Sequence, residues 1–264
     1  MRILVANDDG IYSPGIAALA RVASRFGEVR VVAPDMERSA WSHAITYARP
    51  LDYRRATHLG DIEAYRVNGT PADCVAVGVH NWSEVDVVLS GVNLGANLGN
   101  ALWHSGTLAA AKQATLLGIR GIAVSTPMPR HRDGGEEAHF ASLDQHLEDV
   151  LGLLLSSNTA RLLNVNLAPD SRGITWTRQA VRHYEHGMVP DTDPMGREHF
   201  WFTSTPIEVT EPGTDLWAME RGYTSITPLS LDLTAHPELA RLRAEVPLDT
   251  PPEDAPGERV DEDA

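Results

Sequence analysis

With 264 residues, 42% of them hydrophobic, the chain can bury one large core, or one core plus an appendage. A formal net charge of −14 argues against a polyanion-binding surface, so no nucleic-acid polymer is expected as partner. No apolar run approaches a membrane span, no signal-peptide pattern is visible, and the lone Cys74 excludes an intrachain disulfide; a cytoplasmic protein with no membrane partner is expected.

The first strand is expected over residues 3–5, an unbroken apolar run of the kind buried on both faces of a parallel sheet. It stops at Asp8 and Asp9, with Gly10 allowing a sharp turn. Ser13 and Pro14 then read as an N-cap followed by proline at the first helical position, and Ile16, Leu19, Ala20 and Ala23 recur on one helical face. Val29, Val31 and Val32 make a second strand ending at Pro34, which completes a β-α-β unit.

Residues 43–53 are strand-like but polar, a hairpin or a loop over the site. Residues 62–67 form a further strand, closed by the turn signal Asn68-Gly69. Thr70-Pro71-Ala72-Asp73 is a capping box that starts the next helix. A buried strand follows over 85–89, then a loop over 90–100 too rich in Gly and Asn for a helix. An apolar helix over 108–117 ends at Gly118, and a strand follows over 119–124. Past the polar residues 130–135, one amphipathic helix is expected over about 136–155, then the last strand of the main sheet over 162–167. Residues 173–229 carry Trp176, Trp201 and Trp217 among short strand-like runs with Pro and Gly breaks, a hairpin-rich texture. From Asp249 onward seven acidic residues face only Arg259, amid Pro251, Pro252 and Pro256, as in a disordered acidic tail.

The common nucleotide and hydrolase signatures are missing: no phosphate-binding P-loop, no dinucleotide fingerprint, no nucleophile elbow. The eleven histidines contain no His-Glu-x-x-His, and His183 and His186 read as surface or contact residues. What remains is a set of oxygen donors after strands: Asp8 and Asp9 after the first, Ser39 after the second, Asn93 after the strand over 85–89. In an open α/β sheet these ends share one ligand-binding edge. Adjacent carboxylates repel unless a cation or a proton intervenes. Carboxylate, hydroxyl and amide oxygens suit Mg²⁺, Mn²⁺ or Ca²⁺ rather than Zn²⁺. Taken singly, each residue has a plainer role: an acidic turn for the aspartates, a helix cap for Ser39, a turn for Asn93. Ser105-Gly106-Thr107 opens a helix, where free N–H groups and the positive dipole end favour a phosphate, with Asn97 as a further donor. Plain helix capping is the alternative there.

The segments Asn7-Asp8-Asp9-Gly10-Ile11, Ala33-Pro34-Asp35-Met36-Glu37-Arg38-Ser39, Gly69-Thr70-Pro71-Ala72-Asp73-Cys74, Ser90-Gly91-Val92-Asn93-Leu94-Gly95-Ala96-Asn97-Leu98-Gly99, Ser105-Gly106-Thr107 and Arg221-Gly222-Tyr223-Thr224-Ser225-Ile226-Thr227-Pro228-Leu229 resemble the SurE family in order along the chain. The resemblance implies a metal-dependent phosphatase acting on nucleoside monophosphates (5′-, in some members also 3′-nucleotides or short polyphosphate). It implies one divalent cation per subunit, Mg²⁺ or Mn²⁺, on Asp8, Asp9, Ser39 and Asn93, and phosphate contacts from Asn97, Ser105, Gly106 and Thr107. It also implies a homodimer or homotetramer with exchanged C-terminal elements. Departures are Ala6 where threonine is usual, Trp41 where a small residue is common, and the acidic tail.

The expected architecture is therefore α/β: a Rossmann-like, mostly parallel sheet with flanking helices over residues 1–170, a hairpin-rich extension over 171–245 read as an oligomerisation arm, with an ordinary subdomain as the plainer alternative, and an acidic tail over 246–264. The expected reaction is attack of a metal-activated water on phosphorus, with Asp8 and Asn93 as catalytic residues and Asp8 orienting or deprotonating the water. Two alternatives stand beside it: a phosphatase with Asp8 as covalent nucleophile, and a non-catalytic nucleotide-binding regulator.

Overall fold

The computed structural model describes residues 1–129, 135–157, 160–181, 184–206 and 211–246. His183 and the acidic residues from Asp249 onward lie outside that set. The described residues fall into two units, Met1–Leu231 and the segment from Asp232.

The first unit is built on a nine-stranded sheet. Its strands are β1 (Arg2–Ala6), β2 (Glu28–Pro34), β3 (Tyr53–Ala56), β4 (Glu63–Val67), β5 (Val87–Leu94), β6 (Arg120–Thr126), β7 (Leu162–Asn166), β8 (Ile174–Trp176) and, after a separate hairpin, β11 (Thr224–Pro228). The order is β3-β4-β2-β1-β5-β6-β7-β11-β8. Strands β4, β2, β1, β5, β6 and β7 run parallel, whereas β3 and β11 pair antiparallel with β4 and β7.

Alternation along β1 divides the core. Ile3 and Val5 join a cluster with α1 (Pro14–Ala23) and α5 (Asp144–Leu155) on one face. Leu4 and Ala6 join residues of α2 (Pro71–Asn81) and α3 (Gly106–Leu116) on the other. Helices thus cover both faces, which is why β1 is apolar from Ile3 through Ala6. The chain leaves β1 toward β2 and later returns through α2 to place β5 on the opposite flank of β1. The strand order therefore reverses between β1 and β5, a topological switch point where α/β sheets form ligand crevices.

Local signals explain several boundaries. Ser13 caps α1 by accepting from the Ile16 N–H, and Thr70 and Asp73 form the capping box of α2. Four expectations are corrected. Strand β5 continues through Leu94, into the stretch read as loop, across an irregularity between Ser90 and Asn93. Gly91 permits this: its φ is +134°, and an added Cβ would lie 2.1 Å from the Val124 carbonyl oxygen. Of the hairpin or loop expected over 43–53, the loop stands up to Asp52, but it leads into a strand, β3, that the sequence pattern does not predict. The helix expected over 136–155 is two, α4 (Gly135–Ser142) and α5, broken at Leu143, which turns into the core. Strand β7 is not the last of the sheet, since β11 and β8 extend it.

Between β8 and α6 (Asp215–Glu220), β9 (Tyr184–Thr192) and β10 (Glu198–Pro206) pair as an antiparallel hairpin outside the main sheet. In the second unit, α7 (His236–Glu245) has no buried residue. Among the described residues no helix is long and apolar enough to cross a membrane.

Candidate active site at the switch point

The carboxyl ends of β1, β2 and β5 meet at one edge, and the turn after β1 organises it. Asn7, fully buried, donates from Nδ2 to the Gly10 carbonyl (3.0 Å) and to Ser13 Oγ (2.8 Å), which fixes the turn bearing Asp8 and Asp9. The Asp8 carbonyl accepts from the Arg38 N–H at 2.7 Å, joining this turn to the loop after β2.

Asp8 is only 4% exposed and lies against the first turn of α3. Thr107 donates from Oγ1 to Asp8 Oδ1 at 2.5 Å. Burial pushes the Asp8 carboxyl above its ordinary range, while the Thr107 hydroxyl and the Gly106 and Thr107 N–H groups pull the other way. Gly106 is required by this contact: a Cβ there would lie 2.7 Å from Asp8 Cβ and 2.8 Å from its Oδ2.

Asp9 is pushed up to about 7, first by burial, then by repulsion from Asp8, Glu37 and Glu136. The Leu94 N–H opposes the shift, which places the Asp9 carboxylate beside the end of β5 that carries Asn93. Asn93 donates from Nδ2 to the Gly95 carbonyl (2.6 Å), leaving Oδ1 as the acceptor of its amide. Ser39 is exposed and donates from Oγ to Glu37 Oε1 at 2.8 Å. Glu37 also repels Asp9, so Ser39 stands on the same turn as a charge that the aspartates feel.

The phosphate candidates are also placed. Ser105 is the N-cap of α3, its Oγ accepting from the Leu108 N–H at 3.0 Å, so the capping role is real and the hydroxyl keeps its proton to give elsewhere. Asn97 is buried, donates from Nδ2 to Ser125 Oγ (2.9 Å), and takes Asn166 Oδ1 on its backbone N–H (2.8 Å). Its carbonyl accepts from both Asn164 and Asn166 at 2.9 Å. These buried asparagines of β7 hold the loop after β5, and sequence reasoning passed them over; their signal was an amide at alternate positions of an otherwise apolar strand. Arg38 and Asn7 were likewise passed over, the former legible as a cation beside Ser39.

A cleft of about 430 Å³ opens alongside Asp9, lined among others by Tyr12, Asp35, Glu37, Leu94, Glu136 and Phe140. Among the described residues no group of three or more His, Cys, Asp or Glu side chains is arranged to hold a metal ion. A cation at this edge would thus depend on two carboxylates together with neutral oxygens.

The model of the family described as survival protein SurE matches residues 3–186. The chain belongs to the SurE family. It is 49% identical over 240 residues to a protein of Thermus thermophilus named 5′-nucleotidase SurE 1, covering 89% of this chain and 94% of that one. Identity to 5′-nucleotidase SurE of Deinococcus radiodurans is 43% over 253 residues, 93% of each chain. The crystal structure of SurE from Aquifex aeolicus superposes with a TM-score of 0.77 at 34% identity, over 93% of this chain and 99% of that one. A mixed α/β fold with a large, mostly parallel sheet is thus common to this chain and its SurE neighbour.

Proposed function

We propose that this SurE-family protein is a metal-dependent 5′-nucleotidase that releases phosphate from nucleoside monophosphates, with Mg²⁺ or Mn²⁺ held by Asp8, Asp9, Ser39 and Asn93. One observation carries the reading: Asp8, buried at the switch point, is gripped by the first turn of the helix that begins Ser105-Gly106-Thr107. A helix start suited to an anion and a pair of carboxylates suited to a cation thereby share one edge. Relatives named 5′-nucleotidase, at up to 49% identity, support the substrate class.

The donor set fits the metal. Two carboxylates, a hydroxyl and an amide oxygen are hard ligands, and the repulsion of Asp9 by Asp8 and Glu37 favours a counter-cation. When bound, the cation supplies charge neutralisation, polarises a phosphoryl oxygen and acidifies water. The protein's own groups do the rest. Thr107 and the adjacent N–H groups fix the Asp8 carboxylate so that it orients the attacking water and accepts its proton. The Ser105 hydroxyl and the second Nδ2 hydrogen of Asn97 donate to phosphoryl oxygens as charge builds on them. Gly106 keeps the backbone close enough for those contacts.

The test is phosphate release from a panel of 5′- and 3′-nucleotides and short polyphosphate, after EDTA treatment and again after Mn²⁺ is restored. Release from 5′-nucleotides that is lost with EDTA and regained with Mn²⁺ is the expected result. AMP retained without turnover would indicate a nucleotide-binding regulator, and acyl-phosphate trapped on Asp8 would indicate a covalent mechanism.

The same reading includes a homo-oligomer, dimer or tetramer, assembled through the β9–β10 hairpin. Phe200 and Phe202 lie on one face of β10 and Trp201 on the other, all exposed, with Met188 and Val189 opposite on β9. A two-stranded ribbon with apolar side chains on both faces is marginal in water and suits burial against another chain. Light scattering on the wild type and on Phe200→Ser/Trp201→Ser measures this directly.

A further inference from the structure

Loop 39–52 is fastened at several points to the residues that begin α2 and precede α3. The Ser42 N–H bonds the His104 carbonyl (3.2 Å), and Ser42 Oγ bonds the Trp103 carbonyl (2.7 Å), immediately before Ser105. Farther along, the Thr46 N–H reaches Asp73 Oδ1 (3.0 Å), and Thr70 Oγ1 reaches the Ala44 carbonyl (2.7 Å). Trp41 stands between two residues in the left-handed region, Ala40 at φ 60° and Ser42 at φ 54°. Neither is glycine, so this backbone is held against its local preference.

The outcome is an indole that is 50% exposed, two residues from Ser39 and one from the tie to the α3 cap. Its ring is backed by the Arg38 guanidinium, 4.8 Å from the centroid. Arg38 is itself well anchored: its side chain is largely buried and pairs with Asp35 at 3.4 Å, and its N–H is bonded to the Asp8 carbonyl. A large apolar ring backed by a largely buried cation, with half its surface open near the proposed phosphate contacts, is built to stack on a flat partner.

We infer that Trp41 is a specificity residue, stacking on the nucleobase of the substrate and favouring purine over pyrimidine nucleotides. The inference rests on the nucleoside monophosphate reading and adds what that reading leaves open, the part of the site that meets the base. Purines present the larger π surface, and stacking tolerates variation at the ring edge, so adenine and guanine should be served alike.

The experiment compares kcat/KM for AMP, GMP, CMP and ribose 5-phosphate in the wild type, Trp41→Ala and Trp41→Phe. The expected result is that the AMP to ribose 5-phosphate ratio falls about tenfold in Trp41→Ala and the purine to pyrimidine ratio moves toward one, while Trp41→Phe restores most of both. Because ribose 5-phosphate lacks a base, general damage to the loop or to Ser39 lowers all rates and leaves these ratios in place. Ratios unchanged in Trp41→Ala would overturn the inference, even if every rate fell. A wild type inactive on all four esters with Mn²⁺ present would overturn the nucleotidase reading and this inference with it. Full wild-type turnover of AMP with unchanged ratios would overturn the inference alone.

Discussion

Two regions of this molecule invert the usual placement of side chains, in opposite senses. At the switch point, Asp8, Asn97, Ser105 and Thr107 are polar and buried. On the β9–β10 hairpin, Phe200, Trp201 and Phe202 are apolar and exposed. Buried polar groups and exposed large apolar patches are the departures that carry information, because each is costly unless something compensates it. At the switch point most of the compensation is internal, through hydrogen bonds to a helix start and between asparagines. On the hairpin, the proposed assembly would supply it from another chain. The proposed chemistry and the proposed assembly thereby fall in separate parts of one unit, and the comparison can be broken by a variant that crosses over.

The largest effect is expected at Asp8. Asp8→Asn keeps the shape and removes the charge, so phosphate release from AMP should fall about 10³-fold. The melting temperature should hold or rise, since a buried carboxylate is lost. Next, Gly106→Ala places a methyl where Asp8 now packs, and a displacement of that kind should cost roughly 100-fold in kcat/KM. Both should leave the mass in solution unchanged. If either changed the mass, the separation of the two regions would be wrong.

Thr107→Val sharpens the energetic side. It deletes the donor to Asp8 while keeping the volume, so chemical unfolding should show a loss of about 1–3 kcal/mol. A smaller, pH-dependent effect follows from Asp9. Its carboxyl titrates near 3.8 when unfolded and at about 7 in the fold, so the fold binds that proton more tightly. This contribution to stability is complete below about pH 4 and is lost as pH rises through 7. A cation must displace the same proton. Mn²⁺ should therefore raise the melting temperature more at pH 8 than at pH 5, and an equal increment at both would remove Asp9 from the proposed ligand set. Last, Phe200→Ser/Trp201→Ser should change the mass by light scattering with less effect on AMP turnover than any variant at the switch point.

What the sequence made legible follows the same division. Strands β1 and β2, the capped starts of α1 and α2, and the helix opening at Ser105 all rest on local signals, periodicity and caps, and they stand where expected. Strand β5 beyond Leu89 was read as loop because Gly91, Asn93 and Gly95 weaken strand propensity, whereas pairing with β6 overrides propensity. Strands β8 and β11 join the sheet through pairings that no local pattern announces. At the site, strand-end placement names Asp8, Asp9, Ser39 and Asn93 as candidates, because all such ends share one edge. It was not enough to show that the Thr107 hydroxyl is given to Asp8, or that Asn164 and Asn166 grip the loop carrying Asn97. Those contacts join α3 to the turn after β1, and β7 to the loop after β5; they are set by tertiary packing and invisible to spacing.

The central claim is that hard oxygen donors at the switch point hold one divalent cation. Crystals soaked in Mn²⁺ and measured at the manganese absorption edge test it most directly. The account predicts one anomalous peak per subunit, about 2–2.3 Å from oxygens of Asp8, Asp9 and Asn93, with Ser39 completing the protein ligands. A map with no peak at this edge, or with its peak among other side chains, would contradict it.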